Sequence, residues 1–224
     1  MRVIKGCLVA VPVAALLTVA VTAQDADKKV AGGGVSVKGW TGKADPGNKQ
    51  GLTVNDSKLA PEGANMRLTT GPAAVYWNAA NAAKGDYTVK ATFTEPKQTI
   101  NHPHPFGVFV GGKDLETDTP TFVYCVAYRD GTFTVRQFAA GKSAQIVRKT
   151  PNEKVVKATG PDAEVKQEVA MSVKGSKVDC TINGASVWSA EKSEIPGGFT
   201  GDGLTGIRVS HNSDAVVSGF AVTK

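Results

Sequence analysis

Thr121 to Phe138, TFVYCVAYRDGTFTVRQF, is the segment that indicates the fold class most clearly. Two runs rich in β-branched and aromatic residues flank Asp130-Gly131. This dipeptide is typical of a two-residue hairpin turn, because Gly adopts positive φ freely and Asp tolerates it. The turn predicts an antiparallel hairpin in which Arg129 lies opposite Thr132.

Alternation of side chains along these two strands assigns each residue to one face of the hairpin. In the predicted register, the more apolar face carries Phe122, Tyr124, Val126, Tyr128, Phe133 and Val135. The mixed face carries Val123, Cys125, Ala127, Thr134, Arg136 and Phe138. We therefore predict that the apolar face turns into a core and that the mixed face is open to solvent or a groove.

The rest of the chain continues this pattern of short strands. Residues 86–93, DYTVKATF, alternate cleanly, and Asn183-Gly184 marks a second two-residue hairpin turn. About ten to twelve short strands separated by turn signals predict an all-β protein, an antiparallel β-sandwich of jelly-roll type. The predicted core comprises Tyr87, Val89, Phe93, Val108, Tyr124, Val126, Phe133, Val135, Val173, Ile182, Val209 and Phe220.

The first 23 residues have the pattern of a signal peptide. Two basic residues precede an apolar run, and Val21-Thr22-Ala23 ends it with small residues suited to cleavage. An uncleaved membrane anchor is the alternative, but the run is short and contains Pro12. We expect a signal peptide at 1–23, a flexible Gly-rich linker at 24–38 and a β-sandwich domain at 39–224. The mature protein is expected to be secreted or periplasmic, with no membrane span.

Two cysteines remain after the predicted cleavage, Cys125 and Cys180. An exported protein reaches an oxidising compartment, which permits a disulfide between them. The predicted strand phases place Cys125 on the mixed face of its hairpin and Cys180 on an apolar face. Because side chains on opposite faces cannot meet without a backbone shift, the phases favour two small buried hydrophobic residues over a bridge.

Charge gives little support for a nucleic-acid partner. The formal net charge is +6, and 24 basic against 20 acidic residues remain without residues 1–23. The basic residues are spread along the chain and are not interleaved with aromatic residues. We therefore expect a solvated surface and no binding of nucleic acid.

Four stretches resemble a known family. They are Gly39-Trp40, GDYTVKATF at 85–93, VDCTINGASVW at 178–188 and GLTGIRVSHNSDAVVSGFAV at 203–222. Together they resemble the concanavalin A-like lectin and glucanase superfamily, and more narrowly the keto-disaccharide hydrolase domain family. The resemblance spans about residues 39–224 and implies a jelly-roll sandwich whose concave face often binds sugars. The acidic residues usual in that family's middle strand are replaced here by FVYCVAYRD, and the Arg-Asn pair after the closing Phe220 is absent.

Paired carboxylates, which glycoside hydrolysis generally requires, are not evident in the sequence. The nearest string is Asp114-Leu115-Glu116-Thr117-Asp118, between a Gly pair and Pro120. A solvated acidic loop, a Ca²⁺ site and a catalytic role are all compatible with it. Because no glucanase-like carboxylate motif is present in the sequence, we favour ligand binding over catalysis as the function.

Three histidines are the most distinctive chemical groups. His102 and His104 flank Pro103 in NHPHP, which favours a rigid extended loop and also permits contact with a ligand or a metal. His211 follows the phase of an apolar strand, so it fits a buried hydrogen-bonded histidine or a ligand contact. A metal site needs a third and a fourth ligand, and no cysteine cluster supplies them. We therefore predict no metal and no cofactor.

The candidate ligand surface lies where the histidine loop approaches the mixed face of the central hairpin. The expected ligand-binding residues are His102, His104, Arg129, Arg136, Phe138 and His211. Charged donors beside an apolar plane are typical of sugar recognition. We expect a carbohydrate or cell-envelope glycan, or another small extracellular ligand. A hydrolase or lyase acting on a sugar derivative, and a structural or protein-interaction domain, are the alternatives.

Overall fold

The computed structural model describes residues 25–48 and 50–224, and their regular structure is almost entirely β. Three short 3₁₀ turns, Val54–Asp56, Ala79–Asn81 and Lys192–Glu194, accompany the strands. The strands are β1 (Gly34–Val35), β2 (Trp40–Ala44), β3 (Lys58–Glu62), β4 (Asn65–Thr69), β5 (Ala74–Asn78), β6 (Tyr87–Glu95), β7 (Phe106–Lys113), β8 (Thr121–Ala127), β9 (Thr132–Ala139), β10 (Lys142–Pro151), β11 (Val165–Lys174), β12 (Lys177–Ile182), β13 (Ala185–Glu191), β14 (Leu204–Val209) and β15 (Asp214–Thr223).

The strands form two sheets that pack face to face. The eight-stranded sheet has the order β1-β3-β4-β15-β6-β11-β12-β13, and the seven-stranded sheet has the order β10-β9-β8-β7-β14-β5-β2. All described pairings between these strands are antiparallel except that of β1 with β3. This confirms the predicted antiparallel β-sandwich.

The main core fills the space between the sheets. Most of the predicted core residues lie there, including Val89 on β6 and Val108 on β7, which are fully buried. Phe220 lies at its margin, partly buried, with its ring edge-on to Trp40 at 4.9 Å between centroids. Tyr124 is buried as predicted, but it belongs to a second cluster on the outer face of the seven-stranded sheet.

The central hairpin differs from its predicted register by one residue. Ala127 pairs with Phe133, and the Tyr128 N–H donates to the Thr132 carbonyl at 2.8 Å, so the loop has three residues. Only Gly131 adopts positive φ, at 84°, whereas a two-residue type I′ turn requires it at both positions. The Asp130 carboxylate instead accepts hydrogen bonds from the backbone and hydroxyl of Thr132.

A slip of one residue exchanges the faces of a strand relative to its partner. On β8, Val123, Cys125 and Ala127 point into the main core, and Phe122, Tyr124 and Val126 point outward. The prediction that the latter three face the main core was therefore wrong. On β9 the predicted assignment holds, because Phe133 and Val135 are inside.

The same correction explains a disulfide. Cys125 of the seven-stranded sheet is bonded to Cys180 of the eight-stranded sheet, with their Cα atoms 6.2 Å apart. Both residues are fully buried in the main core. The predicted strand phases placed Cys125 on the wrong face of β8 and therefore disfavoured this bridge. The bond joins the two sheets within the main core.

The second hairpin turn has the predicted geometry. Asn183 and Gly184 adopt positive φ, at 51° and 80°, and Ile182 pairs with Ala185 across them. Farther from the turn a bulge shifts the register, so that Cys180 lies opposite Trp188.

Residues 25–38 lie against the sandwich, in contrast to the flexible linker predicted from their composition. The Val30 N–H donates to the Asp56 carbonyl at 3.0 Å, and β1 extends the eight-stranded sheet. A Cβ on Gly33 would lie 2.0 Å from the Asn55 carbonyl oxygen, so glycine here permits close backbone approach. Glycine at this position thus allows the backbone of the segment to pack directly against residues 55–57.

The predicted signal peptide lies outside the described residues and stays a prediction. Residues 25–48 and 50–224 contain no helix with the length and hydrophobicity of a transmembrane span.

Candidate binding groove

The outer face of the seven-stranded sheet carries an apolar cluster of its own. Its buried members are Val75, Trp77, Phe109, Leu115, Phe122, Tyr124, Val126 and Phe138. The loop after β7 covers one end of this face: Leu115 is only 3% exposed, and Lys43 holds the loop through the Glu116 carbonyl and the Asp118 carboxylate. The acidic string at 114–118 therefore acts as a cover for part of the sheet.

The other end of this face is open and forms a groove of about 420 Å³, called the outer groove below. The central hairpin and β14 provide its floor, and the loop at 102–105 provides one wall. Its lining residues are His102, Pro103, His104, Pro105, Tyr124, Val126, Tyr128, Thr134, Arg136, Ser143, Lys149, Arg208, Ser210 and His211.

Two tyrosines line the groove: Tyr128 is half-buried, and Tyr124 is only 4% exposed. The Tyr124 hydroxyl is 2.8 Å from Ser143 Oγ, and the Arg208 guanidinium lies 5.1 Å from the Tyr124 ring centroid. Lys149 Nζ lies 4.3 Å from the Tyr128 ring centroid. Burial raises the pKa of Tyr128 to about 12, so its hydroxyl stays protonated at neutral pH.

Three cations line the groove, and two of them have carboxylate partners. Arg208 pairs with Asp45 through both guanidinium nitrogens, and Lys149 pairs with Asp130 at 2.6 Å. Arg136 instead donates to the hydroxyl and carbonyl of Ser143, at 2.8 and 3.3 Å. Within the part of the chain that the structure describes, Arg136 has no ion-pair partner. A ligand can therefore use its remaining N–H groups.

The three histidines meet at the wall of the groove. His104 Nδ1 contacts the His211 carbonyl, and His104 Nε2 lies 2.8 Å from His102 Nε2. His211 Nδ1 lies 2.6 Å from the Asp27 carboxylate. Burial lowers the pKa of His104 to about 4, so this imidazole is neutral at neutral pH.

Comparison with known proteins supports the fold. No protein-family model and no curated protein matches the sequence. Among solved structures, the carbohydrate-binding module CBM66 from Bacillus subtilis is similar at a TM-score of 0.58 and 13% identity, over 85% of this chain and 98% of that one. A glycoside hydrolase family 16 endo-glucanase from Bacteroides ovatus gives 0.55 and 9%, over 82% and 94%. An endo-β-1,3-glucanase from Pyrococcus furiosus gives 0.53 and 12%, over 87% and 91%.

The chain has a concanavalin A-like sandwich fold. At these identities the likeness extends to the fold alone, so the narrower family and the activity are not decided by it.

Four of the six predicted site residues of this sandwich line the outer groove. They are His102, His104, Arg136 and His211. The loop before β7, strand β9 and the residues after β14 are distant in sequence, and the sheet order β9-β8-β7-β14 brings them together. Their predicted role in binding a ligand stays a prediction.

Arg129 and Phe138 lie elsewhere. Arg129 is 3% exposed, and its guanidinium pairs with Glu95 at 3.2 Å and donates to the carbonyls of Gly160, Pro161 and Ala163. It holds the 160–163 loop onto the sandwich. Phe138 stacks on Phe122 at the covered end of the outer face, with ring centroids 5.3 Å apart.

The sequence reasoning missed several lining residues of the groove. Tyr124 and Tyr128 were assigned to the core because of the one-residue register error. Arg208 had a readable signal, since it alternates with the buried Ile207 and Val209 on β14 and must point to the opposite face.

Proposed function

We propose that this protein is an exported carbohydrate-binding domain and that its ligand lies in the outer groove. The observation that carries the proposal is an open groove of about 420 Å³ in which aromatic rings lie beside Arg136, a cation without an ion-pair partner among the described residues. A sugar ring presents an apolar face ringed by hydroxyls. Flat rings next to fixed hydrogen-bond donors match that chemistry.

The polar groups of the groove suit hydroxyl and carboxylate oxygens. Arg136, Lys149 and Arg208 are donors, and Ser143, Ser210 and the two tyrosines can both donate and accept. Because Ser143 orients the Arg136 guanidinium, less side-chain entropy is lost when a ligand binds. The positive charge of Arg136, uncompensated among the described residues, favours a glycan with acidic substituents over a neutral one.

Fold likeness adds support at the level of architecture. The similar structures include a carbohydrate-binding module and two glucanases. A shared sandwich does not transfer a function, so this support is secondary to the groove itself.

Two features support export. The first 23 residues have the order of a signal peptide, and the sandwich contains a disulfide, which persists in oxidising compartments. Mass spectrometry of the secreted or periplasmic fraction tests this proposal. A mature chain that begins near Gln24 is expected, and a cytoplasmic chain with an intact Met1 would contradict export.

A hydrolase or lyase acting on a sugar derivative, including a keto-disaccharide, is the second candidate. Among the described residues, no carboxylate lines the groove, and the two carboxylates bound to its cations, Asp45 and Asp130, are held in ion pairs. A paired-carboxylate mechanism therefore has no residues to use there. Turnover assays on disaccharides, their keto forms and acidic glycans test this candidate, and measurable product would place catalysis above binding.

A glycan array is the experiment that tests the proposed function. The purified protein is expected to retain a restricted set of glycans, enriched in acidic sugars. Arg136→Ala should lose these signals. Lys90→Ala, on the opposite face of the sandwich where Lys90 pairs with Glu168, should keep them. An array with no bound glycan would favour the third candidate, a structural or protein-interaction domain.

A further inference from the structure

Three histidines converge beside the outer groove in an arrangement that suits a metal ion. The ligand-capable atoms of His102, His104 and His211 all lie within 4.8 Å of one another. These are the only three histidines in the chain. His104 and His211 are 6% and 8% exposed, whereas His102 is exposed. We propose that the three imidazoles bind one divalent transition-metal ion of the Zn²⁺ type.

Hydrogen bonds at Nδ1 of His211 and of His104 direct Nε2 of each ring to act as the metal-binding nitrogen. His211 Nδ1 donates to the Asp27 carboxylate at 2.6 Å, and His104 Nδ1 donates to the His211 carbonyl. With the proton on Nδ1, Nε2 of each ring carries a lone pair, and that of His104 accepts from His102 Nε2 at 2.8 Å. Carboxylate and carbonyl acceptors behind ligating histidines are the usual means by which proteins fix the tautomer and orientation of such ligands.

Residues 26–28 of the N-terminal segment are held beside the histidines by the side chain of Asn212. Asn212, the neighbour of His211, accepts from the Lys28 N–H at 2.8 Å and donates to the Ala26 carbonyl at 3.0 Å. These two bonds bracket Asp27 and hold its carboxylate against His211. The Asp27 carboxylate is thus held in a position where it can orient the His211 ring as a metal ligand.

The third ligand is already close to the second. His102 Nε2 and His104 Nε2 are 2.8 Å apart. Two nitrogens at metal–nitrogen distances of about 2.0–2.1 Å in a tetrahedral site are roughly 3.3 Å apart, so a small rotation of the exposed His102 opens the pair for an ion. The His102 proton then moves from Nε2 to Nδ1 at the solvent side, and the ion replaces the hydrogen bond between the rings without net release of a proton.

The donor set selects the class of ion. Imidazole nitrogens suit Zn²⁺, Cu²⁺ and Ni²⁺ and are poor ligands for Ca²⁺ and Mg²⁺, which prefer oxygen. Cys125 and Cys180 are joined in the disulfide and are not available as thiolate ligands. Three protein ligands leave a fourth position for water or for an oxygen of a ligand in the groove. That last role rests on the proposed function, whereas binding of the ion does not.

The test is calorimetric titration of Zn²⁺ into chelator-treated protein that carries no polyhistidine tag. One equivalent is expected to bind, and Co²⁺ in its place is expected to show visible bands of nitrogen ligation. His102→Ala changes an exposed residue and should fold, yet should weaken binding at least 10-fold. Asp27→Asn, which alters a positioning residue, should weaken binding about 10- to 100-fold. Lys90→Ala on the opposite face of the sandwich is the matched control and should bind as the unmodified protein does.

Failure of the unmodified protein to bind Zn²⁺ would overturn the metal site. So would binding by His102→Ala and by Asp27→Asn that is as tight as binding by the unmodified protein. The glycan array repeated with chelator separates the two proposals. Glycan signals without Zn²⁺ binding leave the proposed function standing and remove the metal site. Zn²⁺ binding that depends on the histidines, without any glycan signal, does the reverse.

Discussion

Removal of the Cys125–Cys180 disulfide is expected to cost a large part of the folding stability. The bond joins the two sheets and closes a loop of 55 residues. Constraint of the unfolded chain by a loop of that length stabilises the fold by about 4 kcal/mol in the chain-entropy model. For a domain of this size, that free energy corresponds to a fall in Tm of roughly 8–16 °C.

Urea unfolding of the oxidised protein, the reduced protein and the Cys125→Ala/Cys180→Ala variant measures this contribution. The reduced protein isolates the effect of the bond, and the variant adds the effect of removing two buried sulfur atoms. Both should unfold at lower urea than the oxidised protein. Two thiols that react with Ellman's reagent in the unfolded, unreduced protein would refute the bridge. A loss on reduction below about 1 kcal/mol would contradict its predicted contribution to stability.

Two further predictions concern buried charge. Arg129→Ala leaves Glu95 buried without its partner and frees the loop at 160–163, so it should lower the unfolding free energy by about 3–5 kcal/mol, and Arg136→Ala should change it little. Equal stability of the two variants in urea would contradict this assignment. The pKa of His104 is about 4, below its usual 6.5, so the unfolded chain takes up the proton first as pH falls. The stability of the chelator-treated protein should therefore be full above about pH 6.5 and decline toward pH 4, and His104→Asn should flatten that decline.

Much of the fold could be predicted because its signals are local. Alternation in DYTVKATF identified β6, and Asn183-Gly184 identified a turn in which both residues have positive φ. Asp130-Gly131 carries the same signal and forms a three-residue loop instead, since Asp130 uses its side chain to cap Thr132. Because the predicted loop was one residue too short, the prediction assigned the side chains of β8 to the wrong faces and disfavoured the disulfide.

The candidate site was predictable only where its residues stood out by type. The NHPHP string and His211 drew attention because histidines are few in this chain. Asp27, 184 residues before His211 in sequence, had no such signal, because its segment has the composition of a linker and its docking depends on distant backbone contacts. Arg129 was misplaced for a related reason, since its partner Glu95 is brought to it by sheet packing.

The most direct test of the carbohydrate-binding claim is calorimetric titration of the strongest glycan from the array into three proteins: unmodified, Arg136→Ala and Lys90→Ala. Loss of the Arg136 hydrogen bonds to a buried ligand is worth about 1–3 kcal/mol, so Arg136→Ala should bind roughly 5- to 150-fold more weakly with an unchanged Tm. Lys90→Ala should bind as the unmodified protein does. Equal affinity of all three proteins for the glycan would contradict the assignment of the outer groove as the binding site.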